Sequence, residues 1–187
     1  MSFVEVFIVF VIIMILVRYI YGQVTSEVEY VTSKVDGRPY LVLSLPDKQK
    51  AADYLAEINK DIIKMIKHLR AKYPDNPNWE RLYTRFDPAA LSEGSPDSQY
   101  TSYTVNKTSL VICVRQTDLS FVGKNVIMYP VLHELGHMAC DEVGHTKKFW
   151  DLFKLIIEDA VIIGIYQKMD FKSKPEAYCG IYISSHV

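Results

Sequence analysis

Residues 128–150 read MYPVLHELGHMACDEVGHTKKFW, and the five at their heart, His133-Glu134-Leu135-Gly136-His137, form an HExxH pattern in an apolar run. Residues i and i+4 lie on one face of a helix, so both imidazoles can point at one metal ion. Neutral imidazole suits zinc, and two ligands fixed on a rigid helix lose little freedom on binding. Glu134 neighbours His133 and takes the position of a general base, facing the water at such a metal without being a ligand. A tetrahedral site needs a third protein ligand, and His145 supplies it: three of the five histidines fall between His133 and His145. Gly144 suits the positive-φ turn that reverses the chain after the helix, and Thr146 suits the N-cap of the next one. Cys140, Asp141 and Glu142 compete for the third position. Cys140 and Asp141 share the helix face of His137, but lie most of a turn or more beyond it on short side chains.

Working outward, a helix is expected over about Val126–Ala139 and another over about Thr146–Gln167. Upstream, Tyr100–Val105 and Ser109–Arg115 read as a hairpin turned at Asn106-Lys107-Thr108. Asp75–Gln99, with three of the eight prolines, reads as loop with one helical turn near Trp79–Tyr83. Before it, Arg38–Ser44 reads as a strand, and a long helix runs from Pro46 to Tyr73 on apolar positions at helical spacing. The tail ends in YCGIYI, read as a last strand, and no internal repeat appears.

Residues 3–21 read FVEVFIVFVIIMILVRYIY, with no polar side chain from Val6 to Val17. The run is expected to form an uncleaved transmembrane helix within residues 1–22: it is long enough for a bilayer core, and Tyr19 and Tyr21 suit its interface. No basic n-region precedes it, which argues against a signal peptide. Arg18, Lys34 and Arg38 follow it, so the remainder is expected on the cytosolic side. Residues 23–37 read as a tether that admits a short strand, and residues 38–187 as the folded domain.

Composition closes off other classes. Hydrophobic residues make up 49% and charged residues 23% of the 187, which excludes both a disordered chain and a multi-span membrane protein. A net charge of −1 gives no basic field for nucleic acid. Three cysteines without a Cys-x-x-Cys spacing exclude a disulfide-stapled scaffold or four-cysteine zinc ribbon and fit a reducing compartment.

HELGH followed by GHTKKFW resembles the zinc-peptidase group that includes the WLM and SprT-like families. There a third His, three variable residues and an aromatic pair follow HELxH; here these are His145, Thr146-Lys147-Lys148 and Phe149-Trp150. The WLM pattern usually places five residues between the second and third His, whereas this chain has the seven from Met138 to Gly144. The run from Tyr100 to Ile183 is similar to small metallopeptidase-like proteins of large DNA viruses. The resemblance implies an α+β zincin fold, with a small antiparallel sheet packed on the HExxH helix and further helices behind. It also implies an edge strand to which an extended substrate adds; Ser109–Arg115 is the expected strand, with Arg115 flanking the cleft.

The resulting expectation is a membrane-anchored zinc peptidase, with His133, His137 and His145 as ligands and Glu134 as base. Its partners would be the lipid bilayer and a protein or peptide substrate, without nucleic acid. The alternative is a catalytically silent zincin-fold protein at a membrane, such as a virion component beside capsid or membrane proteins. Crosslink repair on DNA, known from the resembled families, would need a basic patch that this chain lacks. Tyr166, Tyr178 and Tyr182 are candidate oxyanion donors, with packing favoured for each. Cys179 is expected to be a plain buried cysteine rather than a blocking ligand at the metal, and His68 to be exposed among lysines.

Overall fold

The computed structural model describes residues 3–24, 27–98 and 101–184. The expected strand start at Tyr100 and the tail residue His186 lie outside the described residues. The fold is α+β; the described residues form a five-stranded sheet, five helices and a separate two-stranded hairpin.

The sheet is built from β1 (Val28–Thr32), β2 (Pro39–Leu43), β3 (Leu91–Gly94), β4 (Ser102–Val105) and β5 (Ser109–Cys113), in the order β1-β2-β3-β5-β4. It is mixed, which corrects the antiparallel expectation: β2 and β5 both run parallel to β3, while β1–β2 and β4–β5 are antiparallel. The reason is connectivity, because two helices lie between β2 and β3 and form the crossover a parallel pair needs. β1 is the short strand admitted within the tether, and it pairs with β2 along its whole length. Tyr40 and Val42 of β2, and Leu110 and Ile112 of β5, are buried while their neighbours Leu41, Leu43, Ser109 and Val111 are half-buried. One face of the sheet is therefore the core face.

Helix α2 (Lys48–Lys72) packs its apolar side on β1–β3, and α3 (Pro77–Arg85) follows it. The α3 start is set by Asn76, whose side chain accepts from the Asn78 N–H, with Pro77 at the first helical position. α4 (Lys124–Ala139) lies against β4, β5 and α3, and α5 (Lys147–Ile162) packs across α4. α5 ends five residues before the expected Gln167. Gly164 has a φ of 71°, while its N–H and that of Ile165 bond back to the carbonyls of Val161 and Ala160. This is a glycine stop of the kind that closes helices.

Two further expectations are corrected in the tail and on α2. YCGIYI is a hairpin rather than one strand: β6 (Glu176–Tyr178) turns through Cys179-Gly180 into β7 (Ile181–Ile183). Both turn residues have positive φ, so the backbone reverses where the composition reads as continuous strand. Cys179 forms a disulfide with Cys113, leaving Cys140 as the free, buried cysteine. The two partners are 66 residues apart, so no local spacing announces the bond, and the reducing-compartment reading does not describe this pair. His68 is not simply exposed, since its Nε2 lies 2.9 Å from Oδ1 of buried Asp159, which also accepts from Lys72 and Tyr73.

The apolar N-terminal run is helical, α1 (Phe3–Val24), and its side chains from Val6 to Val17 are exposed. Among the described residues no helix is long and apolar enough to cross a membrane, so the transmembrane expectation is not supported there.

Arg115 lies in the interior, not beside a cleft, which corrects its expected role. Its Nε donates to Glu93 at 2.7 Å and its Nη1 to Asp47 at 2.9 Å, with the guanidinium 4.3 Å from the Phe121 ring centre. Glu93 also accepts from the Leu43 N–H, so this pair ties β2, β3 and the end of β5 together. Burial holds the Glu93 carboxyl above its usual range despite those partners. Arg115→Met leaves that carboxylate buried without its cation, at a cost of about 3–5 kcal/mol. The melting temperature should fall by roughly 10 °C at neutral pH. Because the folded-state pKa of Glu93 is raised, the deficit should shrink as pH drops toward the ordinary carboxylate range, which thermal melts across pH will show.

Candidate metal centre

α4 carries His133 and His137 one turn apart, and both face α5. The helix packs closely enough on α5 that a Cβ on Gly136 would come within 3.1 Å of the Phe149 ring. That approach brings the aromatic pair against the histidines: Phe149 stacks on His137 with ring centres 4.2 Å apart, and Trp150 stacks on His145 at 5.6 Å. Phe153, one turn further along α5, meets His133 edge-on at 5.1 Å. Three rings thus fix the three imidazoles through contacts that cost no hydrogen-bonding capacity.

The chain between the helices turns at Gly144, with φ 84°, and Thr146 caps α5 by accepting from the Phe149 N–H. This delivers His145 to the other two. The Nε2 atoms stand 3.1 Å (His133–His137), 3.3 Å (His137–His145) and 3.0 Å (His133–His145) apart. A circle through three such points has a radius of about 1.8 Å. That is within the ~2.0–2.1 Å typical of zinc–nitrogen bonds, so the three Nε2 atoms could reach one ion together. These histidines form a group that could hold a metal ion.

The electrostatics suit the same purpose. Burial pushes His133 down to about 3, with its two imidazole neighbours adding to the effect. Burial, His145 and Lys107 take His137 down to about 4. Both rings are therefore neutral at physiological pH and keep a lone pair free for a cation. Glu134 is 8% exposed, and burial lifts its carboxyl to about 7 against the opposing pull of hydrogen bonding from the Thr104 hydroxyl and backbone N–H.

Of the competing ligands, Cys140 is buried away from the group, and Asp141 is engaged by Lys148 at 2.5 Å and by Arg81 at 3.7 Å. Tyr178 is buried, its hydroxyl donating to the Cys113 carbonyl and paired with Ser102, while Tyr166 packs against Tyr129. Tyr182 is exposed on β7. Thr104, Phe153, Arg81, Arg85 and Lys107 all touch the centre or its spacer and were not singled out from the sequence. Phe153 alone had a signal, its four-residue spacing from Phe149.

The edge of the sheet beside α4 is β4, not the expected Ser109–Arg115, because β5 is inserted between β3 and β4. The Cys113 N–H bonds to the Thr101 carbonyl, so residues 101, 103 and 105 face β5. The backbone polar groups of Ser102 and Thr104 point away from β5, and the Thr104 N–H there is taken by Glu134.

No family model matches the chain. It is 34% identical over 177 residues to Uncharacterized protein R325 of Acanthamoeba polyphaga mimivirus, across 91% of this chain and 90% of that protein. The chain belongs to the family of this mimivirus protein. It is also 34% identical over 70 residues to Uncharacterized protein 136R of Invertebrate iridescent virus 6, across 36% of this chain and 39% of that one. Among solved structures it is similar to Wss1 from Saccharomyces cerevisiae, with a TM-score of 0.48 and 23% identity over 66% of this chain and 87% of that one.

If the three imidazoles act as one ligand set, His145→Ala should weaken zinc binding at least tenfold in a chelator competition. Asp141→Ala should leave it unchanged. The reverse ranking would assign the third position to the carboxylate.

Proposed function

We propose that the protein is a zinc-dependent peptidase of the WLM-like zincin group, held at a membrane by α1. The observation that carries this reading is the convergence of three imidazole Nε2 atoms beside buried Glu134, which shares α4 with two of them. Zinc bound there would act as the Lewis acid that polarises a peptide carbonyl. The remaining chemistry falls to this chain. Glu134 accepts the proton of the attacking water at its carboxylate and passes it to the leaving amine. Its pKa near 7 in the bare site is matched to that exchange, and a cation alongside would pull it lower, keeping the base ionised at neutral pH. An extended peptide would add to the open edge of β4, using the main-chain groups of Ser102 and the carbonyl of Thr104, whose N–H is already given to Glu134.

Membrane attachment is supported by the exposed apolar face of α1 from Val6 to Val17. The bilayer and a polypeptide substrate are the partners this reading calls for. A silent scaffold is the second reading, since the same fold and ligand set can persist without turnover.

Glu134→Gln separates the two. It should keep the fold and the zinc, while peptide hydrolysis falls by about 10²–10⁴-fold, the usual worth of general acid–base catalysis. Zinc-loaded wild-type protein that cleaves no member of a broad peptide library would favour the scaffold. For the anchor, the full-length chain should remain with membranes through carbonate extraction, and its release into the supernatant would remove α1 from that role.

A further inference from the structure

The seven residues between His137 and His145 are held chiefly by their carbonyl oxygens. Arg85 donates to the carbonyls of Met138 at 2.8 Å and Cys140 at 3.1 Å, and Arg81 to that of Ala139 at 2.8 Å. Both come from α3 and serve the end of α4, where the last carbonyls lack helical partners and the helix dipole is negative. Lys107 does something else. Its Nζ donates to the Cys140 carbonyl and, beyond the helix, to the Glu142 carbonyl, each at 2.8 Å. Glu142 lies three residues before His145.

Lys107 reaches there from the turn between β4 and β5. Asn106 and Lys107 have φ of 52° and 57°, the left-handed pair of a type I′ hairpin. Asparagine and glycine suit such positions, whereas a lysine there carries backbone strain. The strained residue is also the one whose side chain bridges two elements. The bridge joins the tip of the edge strand β4 to the loop that delivers the third histidine.

We propose that Lys107 is a positioning residue for the metal centre, locking the His145 loop to the tip of β4. The inference rests on the zinc-peptidase reading above. It also accounts for how a seven-residue spacer is held so that His145 Nε2 lies 3.0 Å from His133 Nε2. Two charge-assisted bonds to the main chain fix the loop whatever side chains it carries.

Cobalt(II) binding to the full-length protein tests this, read as affinity by chelator competition and as the visible absorption of the bound ion. Lys107→Met should weaken binding roughly tenfold, as outer-shell changes at metal sites typically do, and should dim the absorption bands of a low-coordinate site. Lys107→Gly should do the same with little change in melting temperature, because glycine relieves the left-handed φ while losing both bonds. Lys107→Arg, which retains cationic donors, should restore both readouts. Wild-type affinity and spectrum in the Met and Gly variants would overturn the inference while leaving the metal centre intact. If the Met variant fails to fold, the Gly variant decides. A wild-type protein that binds no cobalt would instead remove the underlying reading, and this inference with it.

Discussion

Three imidazoles carried by two helices must meet at one point, and most of the structure beside the sheet answers to that constraint. A helix fixes the first two at no extra cost, since a four-residue spacing already places them on one face. The third must return across a seven-residue spacer, and flexible chain of that length would hold it loosely. The return is made definite at three places: the spacer carbonyls taken by Arg81, Arg85 and Lys107, the left-handed turn at Gly144, and the Thr146 cap that restarts the helix. Gly136 then lets α5 approach until Phe149 lies on His137.

The same packing sets the electrostatics. Enclosing His133 and His137 in aromatic and aliphatic walls makes their protonated forms expensive, which keeps them available as ligands. Enclosing Glu134 raises the proton affinity of a carboxylate that would otherwise be a weak base. One physical cause, removal from water, therefore moves the acid and the bases in opposite directions. The edge strand β4 adds to this through Thr104, whose hydroxyl and N–H both reach Glu134.

The sequence is most legible where periodicity and chemistry coincide. The helix around HELGH, the turn at Gly144, the cap at Thr146 and the hairpin at Asn106-Lys107 can all be read from residue type, because each depends on a local backbone preference. Legibility fails where a residue's role is fixed by distant partners. Leu91-Ser92-Glu93-Gly94 has no β-branched residue and a charge, yet it is the central strand β3, because Glu93 meets Arg115 across the sheet. The Cys113–Cys179 bond, the burial of Arg115 and the choice of β4 as the edge are equally non-local. Lys107 combines the two cases: its turn is local, but the carbonyls it serves are over thirty residues away.

The central claim is that His133, His137 and His145 act together as the ligand set of one zinc ion. X-ray absorption at the zinc edge of the zinc-loaded full-length protein tests it most directly. The account predicts three imidazole nitrogens at about 2.0–2.1 Å, with the remaining neighbour a light atom. A sulfur neighbour at about 2.3 Å, which would implicate Cys140, or a shell containing only two imidazoles, would contradict it.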